Sequence, residues 1–411
     1  MVFKALAMAA SQLIQANLGG ETVLAGKTGY FAIQSNLEMT NIQERSVTKV
    51  REAGDFDLGF LRISTNTLSG SVVYTLQKNG IDQAVTMRVG RGATGDFHDE
   101  TRSFHVSAGD EVRWKVVSAP GTGFLKQTMA GLRFTPDNKA NTVTFLSTFS
   151  AGSLAVSSPG TTLYLAPNGA RRGQATEALA QLRIQEPATW RGLYTVQGTN
   201  KRTADTTIGN RKNGAAQAKQ WVTIPAAQST EGVTIPALSS VMEDKVGTVS
   251  LAAGDNFNHV LRTTPAGSGT YNLERINSEL VSTNDKFFFF TARPGGASFK
   301  AIRYIPLAGD LTSSATESEA EFVVKFPFRL QKMIAKVVSN TGTVDGAVLR
   351  VRKNGVDELL EVVIDQQTGI FADNGEFVDL EAGDRVCFQF DNPSGNVKIQ
   401  YIGIVGDETL R

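Results

Sequence analysis

The tripeptide Lys-Asn-Gly occurs three times, at residues 78–80, 212–214 and 353–355, and this recurrence constrains the chain more than any other feature. The asparagines Asn79, Asn213 and Asn354 are 134 and 141 residues apart. A second marker follows each: "VSAGDEVRW" (106–114), "LAAGDNFNH" (251–259) and "LEAGDRVCF" (380–388). A third motif reads as the close of each unit: "GLRFTP" (131–136), "AIRYIP" (301–306) and "IQYIGI" (399–404). "TGDFHD" (94–99) and "TGIFAD" (368–373) share T-G-x-F-x-D. Repeats of this order and spacing point to three copies of one fold unit.

The markers have local causes. Asn-Gly supplies the two positive-φ positions of a type I′ hairpin turn. In A-G-D the glycine permits a tight turn and the aspartate accepts from nearby backbone N–H groups. The flanking segments alternate with period two, as in Val72, Tyr74 and Leu76 against Val73, Thr75 and Gln77. About eight short strands per unit, separated by turn signals, predict sandwiches. The expected fold is all-β: three tandem antiparallel β-sandwich or jelly-roll domains with a short N-terminal helix or arm.

The expected boundaries follow the closing motifs. Residues 1–20 form the arm, 21–140 the first domain, 141–307 the second and 308–411 the third. "AGDLTSSATESEAE" (308–321) reads as a linker. The middle domain then carries an inserted hairpin or long loop around 263–298, with "FFFF" (287–290) as a strand buried on both faces.

Pattern and spacing K-N-G, T-G-x-F-x-D, A-G-D-x-V-x-F resemble the jelly-roll modules of tailed-bacteriophage virion proteins, which are similar to the C1q/TNF-type sandwich. The resemblance implies a structural protein of the virion, assembled in the bacterial host cytoplasm. It implies partners that are other copies of the chain (a homo-oligomer, trimers included) and other virion proteins. Tail fibre or baseplate is the expected place, because serial jelly rolls make elongated arms. Capsid decoration or a head fibre is the alternative.

Chemistry is sparse. The three histidines, His98, His105 and His259, lie in two units, and the third copy has Ala372 where the first has His98. The only cysteine, Cys387, sits in an alternating strand with no histidine in its unit, which argues against a nucleophile. No nucleophile elbow, zincin or phosphate-loop motif is present. The expectation is a non-enzyme with no cofactor and no metal site. No apolar run approaches the about 20 residues that span a bilayer, so membrane insertion is not expected.

Net charge is +2 over residues 1–140 (arm and first domain), +6 over 141–307 and −7 over 308–411. The basic excess supplies a candidate inter-subunit patch: Arg171, Arg172, Lys201, Arg202, Arg211 and Lys212. The candidate acidic partner patch is Asp357, Glu358, Glu361, Asp373, Glu376, Asp379 and Glu381. Complementary patches fix register and partner. Neither basic stretch interleaves aromatics for base stacking, so nucleic acid is not an expected partner. The reading from another class is an adhesin for host-surface glycan, with Trp190 and Trp221 as candidate contacts.

Overall fold

The computed structural model describes residues 12–36, 39–41, 43–170, 173–226, 242–342, 346–365 and 367–408. The fold is all-β, and the three units lay down the same pair of sheets in the same strand order. One sheet runs axial, leading, closing, bulged and edge strand. In unit one these are Ser35–Asn36, Gln12–Leu24, Phe124–Pro136, Gly54–Asn66 and Gly95–Asp99. In unit two they are Gly169–Ala170, Thr142–Val156, Tyr271–Ser282, Ala188–Asn200 and Met242–Leu251. In unit three they are Gly309–Asp310, Lys286–Phe299, Val397–Asp407, Phe328–Asn340 and Gly369–Leu380.

The facing sheet ends on the Lys-Asn-Gly hairpin: Val72–Lys78 with Ile81–Val89, Thr206–Lys212 with Ala215–Ile224, and Ala347–Lys353 with Val356–Ile364. Beside each hairpin lies the strand begun by A-G-D: Glu111–Ser118, Asn256–Thr263 and Arg385–Asp391. Pairing is antiparallel except where each axial strand runs parallel to its leading strand. Two such sheets closing over one apolar interior make a jelly roll.

Three expectations are corrected. Residues 12–20 belong to the leading strand of unit one, so the expected helix or arm at 1–20 is strand wherever it is described. Unit three begins at Lys286, because Lys286–Phe299 pairs with Val397–Asp407 and with no strand of unit two. The middle unit therefore has no inserted hairpin at 263–298, and the boundary at 307/308 falls inside unit three. "AIRYIP" is no closing strand: Arg303–Ile305 pairs with Arg385–Asp391, as Thr28–Phe31 pairs with Glu111–Ser118. The true closing strand of unit two is "YNLERINSELVS".

The units close into a ring. The interior of sandwich one is continued by Val143, Phe145 and Val281 of unit two. Phe288, Phe290, Ala292, Tyr401 and Val405 of unit three continue the core of unit two. Phe60 and Met129 of unit one join the core of unit three. The four phenylalanines 287–290 are all buried, alternating between their own core and the seam with unit two. The three axial strands meet one another at the centre. Leu58, Gly192 and Lys332 occupy the same bulge in the three bulged strands, each with positive φ. The chain is a pseudo-trimer made of one polypeptide.

Candidate functional site

The repeated motifs meet in space. Asn79 Nδ2 donates to Asp110 Oδ1 at 2.7 Å, Asn213 Nδ2 to Asp255 Oδ1 at 2.6 Å and Asn354 Nδ2 to Asp384 Oδ1 at 2.7 Å. Each asparagine Oδ1 accepts the N–H of the residue after that aspartate. The preceding lysine adds charge, with Lys212 2.8 Å from Asp255 and Lys353 3.1 Å from Asp384. Desolvation pulls the three aspartates up, but the turn N–H groups of Ser107, Ala252 and Glu381 together with the asparagines and lysines outweigh it and hold all three below the usual carboxylate range. The aspartate of T-G-x-F-x-D has a different task. Asp99 accepts Thr86 N–H at 2.8 Å and Asp373 accepts Glu361 N–H at 3.2 Å, blocking a donor on the exposed hairpin edge.

The seams carry the charged chemistry. Between units one and two, buried Glu279 accepts from Arg51 N at 2.8 Å and sits 3.1 Å from Arg191, which reaches Glu52 at 2.8 Å. Burial raises the Glu279 carboxyl, with Arg191 opposing it. Between units two and three, Lys332 pairs with Glu186, and Gln185 Nε2 donates to Lys332 O at 2.8 Å. At the axis Asn168 Nδ2 donates to Phe290 O at 2.6 Å. Between units three and one, Arg62 donates to Ser318 O and Glu321 O, and Arg385 lies 2.7 Å from Asp96. There Lys325 Nζ donates to His98 Nδ1 at 2.7 Å, which leaves the imidazole neutral. Burial and the adjacent Lys325 lower the His98 pKa. The resulting cleft of about 400 Å³ is lined by Leu58, Asp96, His98, Glu100, Lys325 and Arg385 among others.

Most of the expected patches are consumed within the chain. Arg202 is fully buried, Arg211 pairs with Glu177 at 2.6 Å and Lys212 belongs to the hairpin clamp. Lys201 stays exposed, while Arg171 and Arg172 lie outside the described residues. On the acidic side Asp357 pairs with Arg350 and Arg352, Glu361 with Arg350 and Asp379 with Arg329. Glu358, Glu376 and Glu381 remain at the surface. With unit three beginning at Lys286, the net charges of units two and three are modest. Residues 141–285 hold 12 Lys+Arg and 10 Asp+Glu, a net of +2, and residues 286–411 hold 14 and 17, a net of −3. The strong contrast expected between units two and three disappears because Lys286, Arg293, Lys300 and Arg303 belong to unit three.

Trp190 cannot meet a glycan. It is fully buried, donates to Ser278 Oγ at 3.0 Å and packs edge-on against Phe257. Trp221 is half-buried, lying over Gly209 with Arg262 5.3 Å from its ring centre. His259 is buried beside Trp190, with Nδ1 donating to Asn210 Oδ1 at 2.6 Å, and Asn210 bonds on to Gln220. Burial pushes its pKa down to about 3. Cys387 is buried and its thiol is pushed up by desolvation, opposite to an activated nucleophile. Among the described residues no three His, Cys, Asp or Glu side chains converge as a metal site, and no helix is long and apolar enough to cross a membrane.

No family profile and no curated protein matches the chain. Among solved structures it is similar, at 14% identity and TM-score 0.17, to a chain described under the triple jelly roll fold and turret assembly of an archaeal virus, covering 95% of this chain and 94% of that one. A mycobacterial arabinofuranosyltransferase matches at 9% identity and TM-score 0.14, covering 98% of this chain and 37% of that one. At scores this low neither likeness bears on what this chain does.

Proposed function

We propose that the chain is a non-enzymatic structural protein of a virus particle, whose three jelly rolls act as a single pseudo-threefold block. The observation that carries this reading is cyclic closure: each sandwich completes its core with side chains of the next, and unit three returns to unit one. Aromatic side chains line all three seams, and buried charged groups, Glu279 at the first and Arg62 with Glu321 at the third, are paired across two of them, which is the chemistry of a permanent interface. The motif resemblance to phage jelly-roll modules supplies the virion setting.

Closure also favours one position over another. An elongated tail arm needs sandwiches joined end to end, with their outer ends free. A closed triad instead suits a threefold or local threefold position on a shell, as a capsid decoration. Imaging of intact particles by cryo-electron microscopy tests this. Density for one chain over a threefold or local threefold position of the head is expected, and density confined to the tail would refute that placement. Purified chain with the extended hydrodynamic shape of three separate beads would refute the block itself.

A further inference from the structure

Nine large hydrophobic side chains are exposed among the described residues, and five of them lie on two neighbouring strands of unit three. Val356 (63% exposed), Leu359 (74%) and Val363 (55%) belong to the hairpin edge of the facing sheet, and Ile370 and Phe377 (49%) to the edge strand of the other sheet. Half-buried Glu358 and exposed Glu376 and Glu381 lie on or next to the same two strands, and the Arg329 guanidinium lies 3.6 Å from the ring centre of Phe377. The same positions of unit one read differently. Ala84 and Arg88 stand where unit three has Leu359 and Val363, and Arg102 and Ser103 where it has Glu376 and Phe377. Unit one thus presents exposed Ile81 (69%) and Ala84 with Arg88, Arg91 and Arg102 around them. One fold position is apolar and acidic in one unit, and apolar and basic in another.

We propose that the outer edge of unit three docks onto the outer edge of unit one in a second copy of this chain. A solvent-facing apolar cluster of this kind marks an interaction site. Its acidic rim disfavours pairing with itself and matches the arginines of unit one, so the contact is heterologous, joining copies head to tail. One backbone donor of this edge, at Glu361, is already taken by Asp373, which disfavours sheet extension and leaves the contact to side chains. The inference stands independently of the virion reading.

Sedimentation velocity of the purified full chain, in low-salt and high-salt buffer, is the test. Concentration-dependent association that weakens with salt is expected, because rim charges are screened over about 10 Å at 0.1 M. A triple variant Glu358→Lys, Glu376→Lys, Glu381→Lys, and separately Arg88→Glu with Arg91→Glu, should each lower association by about tenfold or more. Mixing the two variants should restore it, since each then offers the complement the other lost. Leu359→Asp, at the most exposed position, should abolish association while leaving circular dichroism unchanged. A wild-type chain that stays monomeric, or variants whose mixture does not recover, would overturn the proposal and hand the surface to a different protein.

Discussion

Asn354 Nδ2 donates to Asp384 Oδ1 at 2.7 Å while Asn354 Oδ1 accepts Arg385 N–H at 2.8 Å. One side chain thus ties a hairpin turn to the start of the strand that pairs with the hairpin. Asn354 also holds φ of 52°, a conformation asparagine tolerates better than most residues. Asn354→Gly keeps the backbone and loses the bond, so about 1 kcal/mol of stability should go. Asn354→Ala loses both, and about 2 kcal/mol is expected. Chemical denaturation of the pair separates the bond from the turn. A glycine variant as stable as the wild type would show that the clamp contributes nothing beyond turn geometry.

The seams predict cooperativity. Phe60 is a unit-one residue, 1% exposed, that packs edge-on against Phe322 in the core of unit three. Phe60→Ala should cost about 3–5 kcal/mol. Calorimetry of the wild type should show a single transition for the three units. Three resolved transitions, with only the first moved by Phe60→Ala, would mean that the units fold independently.

The axis predicts an asymmetric glycine cost. A Cβ on Gly169 would stand 2.2 Å from the Ala292 carbonyl oxygen of the next unit, at φ +94°. Gly383 has a similar φ of +97° with open space around it. Gly383→Ala should show backbone strain alone, about 1–3 kcal/mol, and Gly169→Ala clearly more. Melting temperatures of the two variants make the comparison, and equal shifts would argue against close packing at the axis.

Acid should weaken the block. His98 and His259 both have lowered pKa values in the folded state, that of His259 about 3. The unfolded chain therefore binds these protons first, and stability present above about pH 6.5 is lost as pH falls below it. His259 contributes about 1.4 kcal/mol per pH unit from there down to its folded pKa. A protonated His98 also loses the bond from Lys325 and faces both Lys325 and Arg385, with Asp96 and Glu100 as the nearby counter-charges. Denaturation midpoints at pH 7 and pH 5 measure the loss. His98→Asn should remove part of the difference, and a midpoint that rises in acid would contradict the assignment.

The corners of this fold were legible because turn chemistry is local. Asn79, Asn213 and Asn354 each need only their own φ and a glycine after them. The bond from each asparagine to the A-G-D aspartate, about 30 to 40 residues on, is invisible to any local pattern. The closing strand of unit two was missed for a different reason. Tyr271–Ser282 is buried almost throughout, yet it contains Glu274, Arg275, Asn277 and Glu279. A segment so polar reads as solvent-facing until the opposite seam supplies partners such as Arg51 N–H and Val47 O. Period-two alternation tells which face is buried, never against which neighbour. Trp190, a candidate glycan contact by residue type, is a core side chain whose indole N–H finds Ser278 inside.

The middle unit places Asn210 and His259 where unit three has Val351 and Phe388, the same cross-strand pair in each sheet. In a trimer of identical chains such a change would be imposed three times at once. Carried on one polypeptide, it is confined to a single third of the ring, and so is the acidic edge of unit three. The fused chain keeps the geometry of a symmetric object while each sector remains free to evolve alone. A block of this kind, seated on a true threefold axis, can adopt three orientations, and symmetric averaging of the particle would blur the residues that distinguish them.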